Sequence, residues 1–389
     1  MQKRAVIVGW AHTPFGKLDD PDIESLIARV SRGALDHAQL GPQDVDMITV
    51  GVYNNGLTPQ GFEGALVALG EPALRFTPAV HVENACATGT AALYRAMDFI
   101  ESGRGRVALA IGAEKMTAIP AREVGEVLLS GCYRKEEENP AGFAGIFAQI
   151  AQAYFERYGD HSAEMAMIAA KNHQNGMANP YAHVRKDVGF DFCNTVSDKN
   201  PIVVGPLRRT DCSMVSDGAA ALVVTDEETA AGLARAIRFR ARSHVNDIMP
   251  LSRRDPIAFE GARRAWQQAL SDAGASLHDL SLVETHDCFT IAEMIEYEAM
   301  GLAKPGEGWK AIREGITAKD GRLPVNVSGG LKAKGHPLGA TGISMHVMAA
   351  MQLMQEAGDM QVPGASLAGV FNMGGAAVAN YVSILERVR

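Results

Sequence analysis

No two cysteines of this chain stand close enough to read as a structural motif. The five, Cys86, Cys132, Cys193, Cys212 and Cys288, are odd in number and widely spaced. That excludes a disulfide framework and a structural zinc site, and it points to a reducing, cytoplasmic compartment. Positive charge is also in deficit. The formal net charge is −8, and basic residues gather only in pairs such as Arg208-Arg209 and Arg253-Arg254. Nucleic acid is therefore not the expected partner. No apolar run approaches the roughly 18 residues of a membrane span. The opening Met1 to Gly9 holds only a short apolar run, so it reads as a first strand rather than a signal peptide.

What is present fits a soluble globular protein, with 47% apolar and 21% charged residues. At 389 residues the chain has room for two domains or one large duplicated unit. The periodicity predicts strands over residues 4–10, 47–53 and 106–113, with helices over 22–40 and 62–70. Residues 115–211 break this rhythm with helical patterns over 143–158 and 163–177, and read as an insertion lying over the sheet. A strand over 219–225 returns to the core. From residue 236 the alternation repeats: strands over 237–244, 280–285, 324–327, 365–370 and 376–385, and helices over 257–273, 290–300 and 340–356. An α/β fold with a mostly parallel sheet covered by helices is expected.

Two distant segments occupy matching places in the two rounds. The first is Asn84-Ala85-Cys86-Ala87-Thr88-Gly89-Thr90, and the second runs from Asn326 through Ser328 to Gly335-His336-Pro337-Leu338-Gly339-Ala340-Thr341-Gly342. Each is a short strand, a loop of small residues and a helix. One delivers a thiol to a helix start, where unpaired N–H groups and the helix dipole favour thiolate. The other delivers an imidazole able to take its proton. The pair suits nucleophilic catalysis on an acyl group, with the Cys86 N–H aimed at the resulting oxyanion. A free cysteine is most often a small buried hydrophobe, but the small residues around Cys86 leave room for a substrate. The stretch 330–336 is not a phosphate loop, because the required Lys-Ser/Thr is missing. The matched loops make an internal duplication the economical explanation.

Two more segments lie at strand ends. Glu284-Thr285-His286-Asp287-Cys288-Phe289-Thr290 precedes a helix, which Asp287 or Thr285 can cap. His286 and Cys288 stand where ligands gather in α/β sheets. In Val370-Phe371-Asn372-Met373-Gly374-Gly375 the glycines either make a tight turn or turn a backbone N–H toward substrate.

In this order and spacing the four segments resemble the thiolase superfamily, particularly its sterol-carrier-protein-2-type and archaeal-type branch. Further matching stretches are 8–16, 112–117 and 216–220. The resemblance implies two duplicated βαβαβαββ halves in five layers (αβαβα) with an inserted loop domain. The halves are expected to comprise residues 1–114 with 212–235, and 236–389, and the loop domain 115–211. It implies acyltransfer on acyl-CoA substrates, coenzyme A being substrate or product, with no metal or redox cofactor, and a homodimer or homotetramer. Cys86 matches the acylated nucleophile and His336 the base that also holds the substrate oxyanion. Most thiolases carry a second cysteine where this chain has Asn372. The named branch has Asn there too, and its His-Asp-Cys-Phe motif implies Cys288 as acid/base and His286 as donor to one oxyanion site. The N–H groups of Cys86 and Gly374 are implied for the other. Asn326 and Ser328 are candidates for substrate contact. Arg208 and Arg209, with Arg185 and Lys186, are candidates for the coenzyme A phosphates. Phe143, Phe147 and Met177 are candidates for shaping the acyl pocket. Two other readings stay open: a retro-aldol cleavage of a CoA ester, which needs no acylated cysteine, and a non-catalytic subunit that binds coenzyme A beside a small OB-fold/zinc-ribbon partner.

Overall fold

A computed structural model describes residues 4–388. Its strands are β1 (Ala5–His12), β2 (Met47–Gly51), β3 (Ala79–Val82), β4 (Val107–Glu114), β5 (Ile202–Val204), β6 (Leu207–Arg208), β7 (Gly218–Asp226), β8 (Ile237–Asn246), β9 (Leu282–Glu284), β10 (Leu367–Gly374) and β11 (Ala379–Arg387). Nine form one sheet in the order β3-β2-β4-β7-β1-β8-β11-β10-β9, and β5 pairs with β6 apart from it. Outward from the β1·β8 junction, the first half runs β1-β7-β4-β2-β3 and the second β8-β11-β10-β9. Val325 then bridges Val283 in parallel, so the stretch around Val325 stands where β3 stands in the first half. The duplication expected from the matched loops is thus a repeat of strand order.

Two expectations fail here for identifiable reasons. Residues 324–327 form no strand. Asn326 takes a left-handed φ of 56°, which ends the extended run after one bridge. The sheet is also not mostly parallel: β2·β3, β2·β4 and β9·β10 are parallel, while β1·β7, β1·β8, β4·β7, β8·β11 and β10·β11 are antiparallel. Hairpin closure between β10 and β11, and the return of β7 from the insertion, reverse the chain without a crossover helix. The helix expected over 62–70 shrinks to Val67–Gly70 after a 3-10 turn. Phe62 sits at φ 61°, and two glycines in the stretch, Gly64 and Gly70, weaken helical propensity.

The layers follow from which helix faces are apolar. Ile23–Ala38 buries Leu26, Ile27, Val30 and Ala34 against one face of the first half-sheet, and Asp22 caps it through the Ser25 N–H at 2.9 Å. Glu260–Ala273 covers β8 and β11. Between them lie helices Thr88–Glu101 and Leu338–Leu353, packed on each other and on the strands. Leu338–Leu353 is buried at every position but Met351, as a helix at the centre of a layered fold must be. The two helix starts approach closely because glycine meets backbone there. A Cβ on Gly89 would lie 2.7 Å from the Gly339 carbonyl oxygen, and one on Gly342 2.3 Å from the Thr90 nitrogen.

Candidate active site

The contact of the two central helices brings Cys86, His336 and His286 together. One ligand atom from each side chain lies within 4.8 Å of those of the other two. Cys86 precedes Thr88–Glu101, after Ala85 at φ 50°. His336 precedes Leu338–Leu353, and its ring stands edge-on to His286 with centroids 5.0 Å apart. Cys86, Cys288 and His336 line the same cavity. Cys288 is held at the strand end by its own N–H to the His286 carbonyl (3.0 Å) and by the Ser213 N–H to its carbonyl (2.9 Å).

Hydrogen bonds assign opposite polarity to the two imidazoles. The Thr341 hydroxyl donates to the Pro337 carbonyl at 2.9 Å. Its oxygen therefore accepts at 2.7 Å from Nδ1–H of His336, and Nε2 of His336 is left as a lone pair, a base. At His286 the order reverses. Asn372 accepts from the Thr90 hydroxyl through Oδ1 (2.7 Å), so its Nδ2 faces the Cys86 carbonyl (3.2 Å) and His286 Nδ1 (2.9 Å). An amide nitrogen only donates, so Nδ1 accepts and Nε2 carries the proton. That Nε2–H is buried and has no partner among the described residues. An unpaired buried donor beside a thiol is a vacancy for an acceptor oxygen. Metal ligation would require the opposite tautomer of His286 and is disfavoured by Asn372.

Burial sets the protonation states. It pushes the Cys86 thiol up to about 12, although N–H groups of Gly375 and Cys86 itself reach the sulfur and lower it. Burial, then the charge on Lys334, brings His336 down to about 3. His286 is lowered by burial and by its neighbours His336 and Lys334. Burial also raises the Cys288 thiol well above its ordinary value, helped by Cys86, Glu296 and Asp287. Burial thus favours a neutral thiol beside a neutral imidazole, opposing the pull toward thiolate that the helix start exerts. Desolvation outweighs the helix dipole here.

Behind the site, a buried polar network fixes the two loops. Asp287 caps neither its own helix nor a surface turn. It accepts the Leu331 and Lys332 N–H groups at 2.5 and 3.1 Å and the Asn172 side chain at 2.7 Å. Asn326 accepts from the Thr285 N–H, Ser328 donates to Glu284, and both are fully buried. Neither reaches the cavity, so the expectation that Asn326 and Ser328 contact substrate is corrected: they position loops. Arg208 is likewise buried and ion-paired to Asp211 at 2.8 Å, whereas the exposed Arg209 stands on the cavity wall. Gly375, rather than the expected Gly374, lines the cavity. A Cβ on Gly374 would lie 2.5 Å from the Asn84 carbonyl oxygen, so only glycine fits beside the Cys86 loop at the end of β10. Of the insertion residues, Phe143 lines the cavity, Phe147 stacks behind it on Phe289, and Met177 is exposed. The roles of Thr341 and Asn372 as orienting partners went unread in the sequence, although both lie inside quoted motifs.

The thiolase N-terminal domain model matches residues 5–228, and the thiolase C-terminal domain-like model matches 243–387. The chain belongs to the thiolase family. It is similar to the acetyl-CoA acetyltransferase of Methanothermobacter thermautotrophicus, with 33% identity over 98% of this chain and 99% of that protein. It is similar to sterol carrier protein 2 of Bos taurus, with 32% identity over 96% of this chain and 70% of that protein. Among solved structures, the Ltp2-ChsH2(DUF35) aldolase superposes with a TM-score of 0.83 at 20% identity, over 99% of this chain and 98% of that one. That last likeness concerns the fold. The chain is an acyltransferase of the thiolase family, and none of its described helices is long and apolar enough to cross a membrane.

Proposed function

We propose that this thiolase cleaves 3-oxoacyl-CoA by thiolysis, or runs the reverse Claisen condensation, through an acyl group carried on Cys86. The observation that carries the reading is the pairing of a His336 Nε2 lone pair with an unpaired His286 Nε2–H around one thiol. In the cleavage direction, His336 takes the Cys86 proton as sulfur attacks the 3-keto carbon. The N–H groups of Cys86 and Gly375 receive the oxyanion. Collapse breaks the carbon–carbon bond and leaves acyl-Cys86 and the enolate of acetyl-CoA or propionyl-CoA, whose oxygen accepts from His286. Cys288, held as a neutral thiol, protonates the enolate carbon. The thiol of free coenzyme A then gives its proton to the Cys288 thiolate and takes the acyl group, and His336 returns its proton to the departing Cys86 sulfur. No step asks for a metal or redox group.

The division into 1–114 with 212–235, 115–211 and 236–389 belongs to the same reading, as does self-association into a dimer or tetramer. The free edge of β3 supports the latter, with Phe62, Phe76 and Val80 exposed beside it. Thiolysis of acetoacetyl-CoA, followed by loss of its enolate absorbance, tests the proposal. Coenzyme A-dependent cleavage that vanishes in Cys86→Ala supports it. Cleavage that is independent of coenzyme A and survives Cys86→Ala favours a retro-aldol reaction. Activity only with an added small OB-fold/zinc-ribbon protein favours a subunit role.

A further inference from the structure

Cys86, His286 and His336 are buried, and each brings one donor atom to within 4.8 Å of the other two. A thiolate with two imidazoles is a donor set that suits thiophilic divalent ions such as zinc. Three protein ligands beside an open fourth position is a common zinc arrangement. The cavity lined by Cys86 and His336 can supply a water for that fourth position. His336 already offers a lone pair at Nε2, because its Nδ1–H is committed to Thr341 Oγ1 at 2.7 Å. Only His286 is set against a metal. Its Nδ1 accepts from Asn372 Nδ2 at 2.9 Å, so its Nε2 carries a proton where a metal needs a lone pair.

Asn372 is not free to reverse that setting. Turning its amide over would offer Oδ1 to a proton on His286 Nδ1. The same turn would aim Oδ1 at the Cys86 carbonyl oxygen, which receives Nδ2–H at 3.2 Å. Two acceptors would then face each other around a fully buried side chain. The Thr90 hydroxyl, which donates to Oδ1 at 2.7 Å, would lose that acceptor as well. Thr90 and the Cys86 carbonyl therefore fix the amide, and the amide fixes the imidazole.

We infer that Asn372 guards a latent metal site: by holding the proton on His286 Nε2 it keeps zinc-like ions off Cys86, His286 and His336. Metal binding would form one bond to each of the three side chains. It would release the Cys86 thiol proton to the buffer and move the His286 proton from Nε2 to Nδ1. Asn372 opposes the second of these proton movements. The inference goes beyond thiolysis and is read by binding rather than by turnover.

The test adds Zn²⁺ or Co²⁺ alone to the full chain and to its variants. Zinc affinity is measured by competition with a chromophoric chelator. Cobalt reports the site itself, through the near-ultraviolet charge-transfer band of a cobalt–thiolate bond. Asn372→Asp sets the proton on His286 Nδ1 from the start and builds a carboxylate–histidine–metal arrangement. Its oxygen opposes the Cys86 carbonyl before any metal arrives, so binding no longer creates that repulsion. Partners of metal-bound histidines are worth roughly 10–100-fold in affinity. Asn372→Asp should bind zinc tighter than the unaltered protein by that factor and show the cobalt–thiolate band. Asn372→Asp with Cys86→Ala should lose both. Asn372→Leu frees the tautomer without imposing either one, so its affinity should fall between the two, and it carries the test if Asn372→Asp fails to fold. An unaltered protein that shows the band and binds zinc as tightly as the variants overturns the inference. So does a folded Asn372→Asp or Asn372→Leu protein with no gain in affinity, or a gain that persists without Cys86.

Discussion

Replacing Asn372 by aspartate should invert the tautomer of His286 while leaving the shape of the site almost unchanged. Asn372 makes three bonds in its buried position: it accepts from Thr90 Oγ1 (2.7 Å), and donates to the Cys86 carbonyl (3.2 Å) and to His286 Nδ1 (2.9 Å). A carboxylate keeps the first and loses both donations. His286 then regains a partner only by moving its proton to Nδ1, so Nε2 meets the substrate oxygen as a lone pair. Removing one oxyanion-hole donor lowers kcat by about 10²–10³. The Cys86 carbonyl also faces an acceptor instead of a donor, which costs stability on the order of 1–3 kcal/mol. Asn372 does not line the cavity, so KM should move little while kcat falls. Asn372→Leu, which removes the donors without imposing the opposite tautomer, should lose less activity than Asn372→Asp. The assay is steady-state thiolysis, with nitrogen NMR of labelled histidine to report which His286 nitrogen holds the proton. A folded Asn372→Asp protein with wild-type kcat, or with Nε2–H retained, refutes the reasoning.

Other consequences can be checked directly. His336→Ala removes the base, and thiolysis should fall by roughly 10²–10⁴; near wild-type turnover would make His336 structural. Cys288→Ala should keep exchange of labelled coenzyme A into acetyl-CoA, which needs no enolate, yet lose thiolysis; loss of both would assign Cys288 to loading or folding. Because burial raises the Cys86 thiol to about 12, its thiolate fraction climbs with pH throughout the neutral range. Alkylation of the substrate-free enzyme by iodoacetamide should accelerate about tenfold per pH unit between roughly pH 6 and 9. A plateau in that window would mean a stable thiolate and contradict the burial argument.

The positions of the chemistry were legible because thiol and imidazole sit in loops of small residues between a strand and a helix, a pattern that spacing alone exposes. Ionisation was not. The helix-start position of Cys86 suggests thiolate, and only the packing of Tyr53, Met116, Val124 and Leu338 around it reveals how dry the sulfur is. The family resemblance marks Asn372 as standing in place of a cysteine, but its contacts reach Thr90 and His286, 282 and 86 residues away. No local pattern encodes such a relay. Asn326 and Ser328 misled for a related reason. Polar residues in a glycine-rich loop suggest ligand contact, yet here they satisfy a buried network around Asp287, Glu284 and Glu293. Strand direction failed where a four-residue turn, 375–378, closes β10 onto β11, a length that forbids a parallel crossover.

The central claim is that Cys86 carries the acyl group between the two half-reactions. Intact-mass spectrometry of the purified protein mixed with acetoacetyl-CoA, before free coenzyme A is added, tests it most directly. One added acetyl group should appear, map by peptide analysis to the segment containing Cys86, and disappear when coenzyme A is supplied. Cys86→Ala should show no addition. An unmodified wild-type protein that still cleaves the substrate, or an acyl group that persists in Cys86→Ala, would contradict the account.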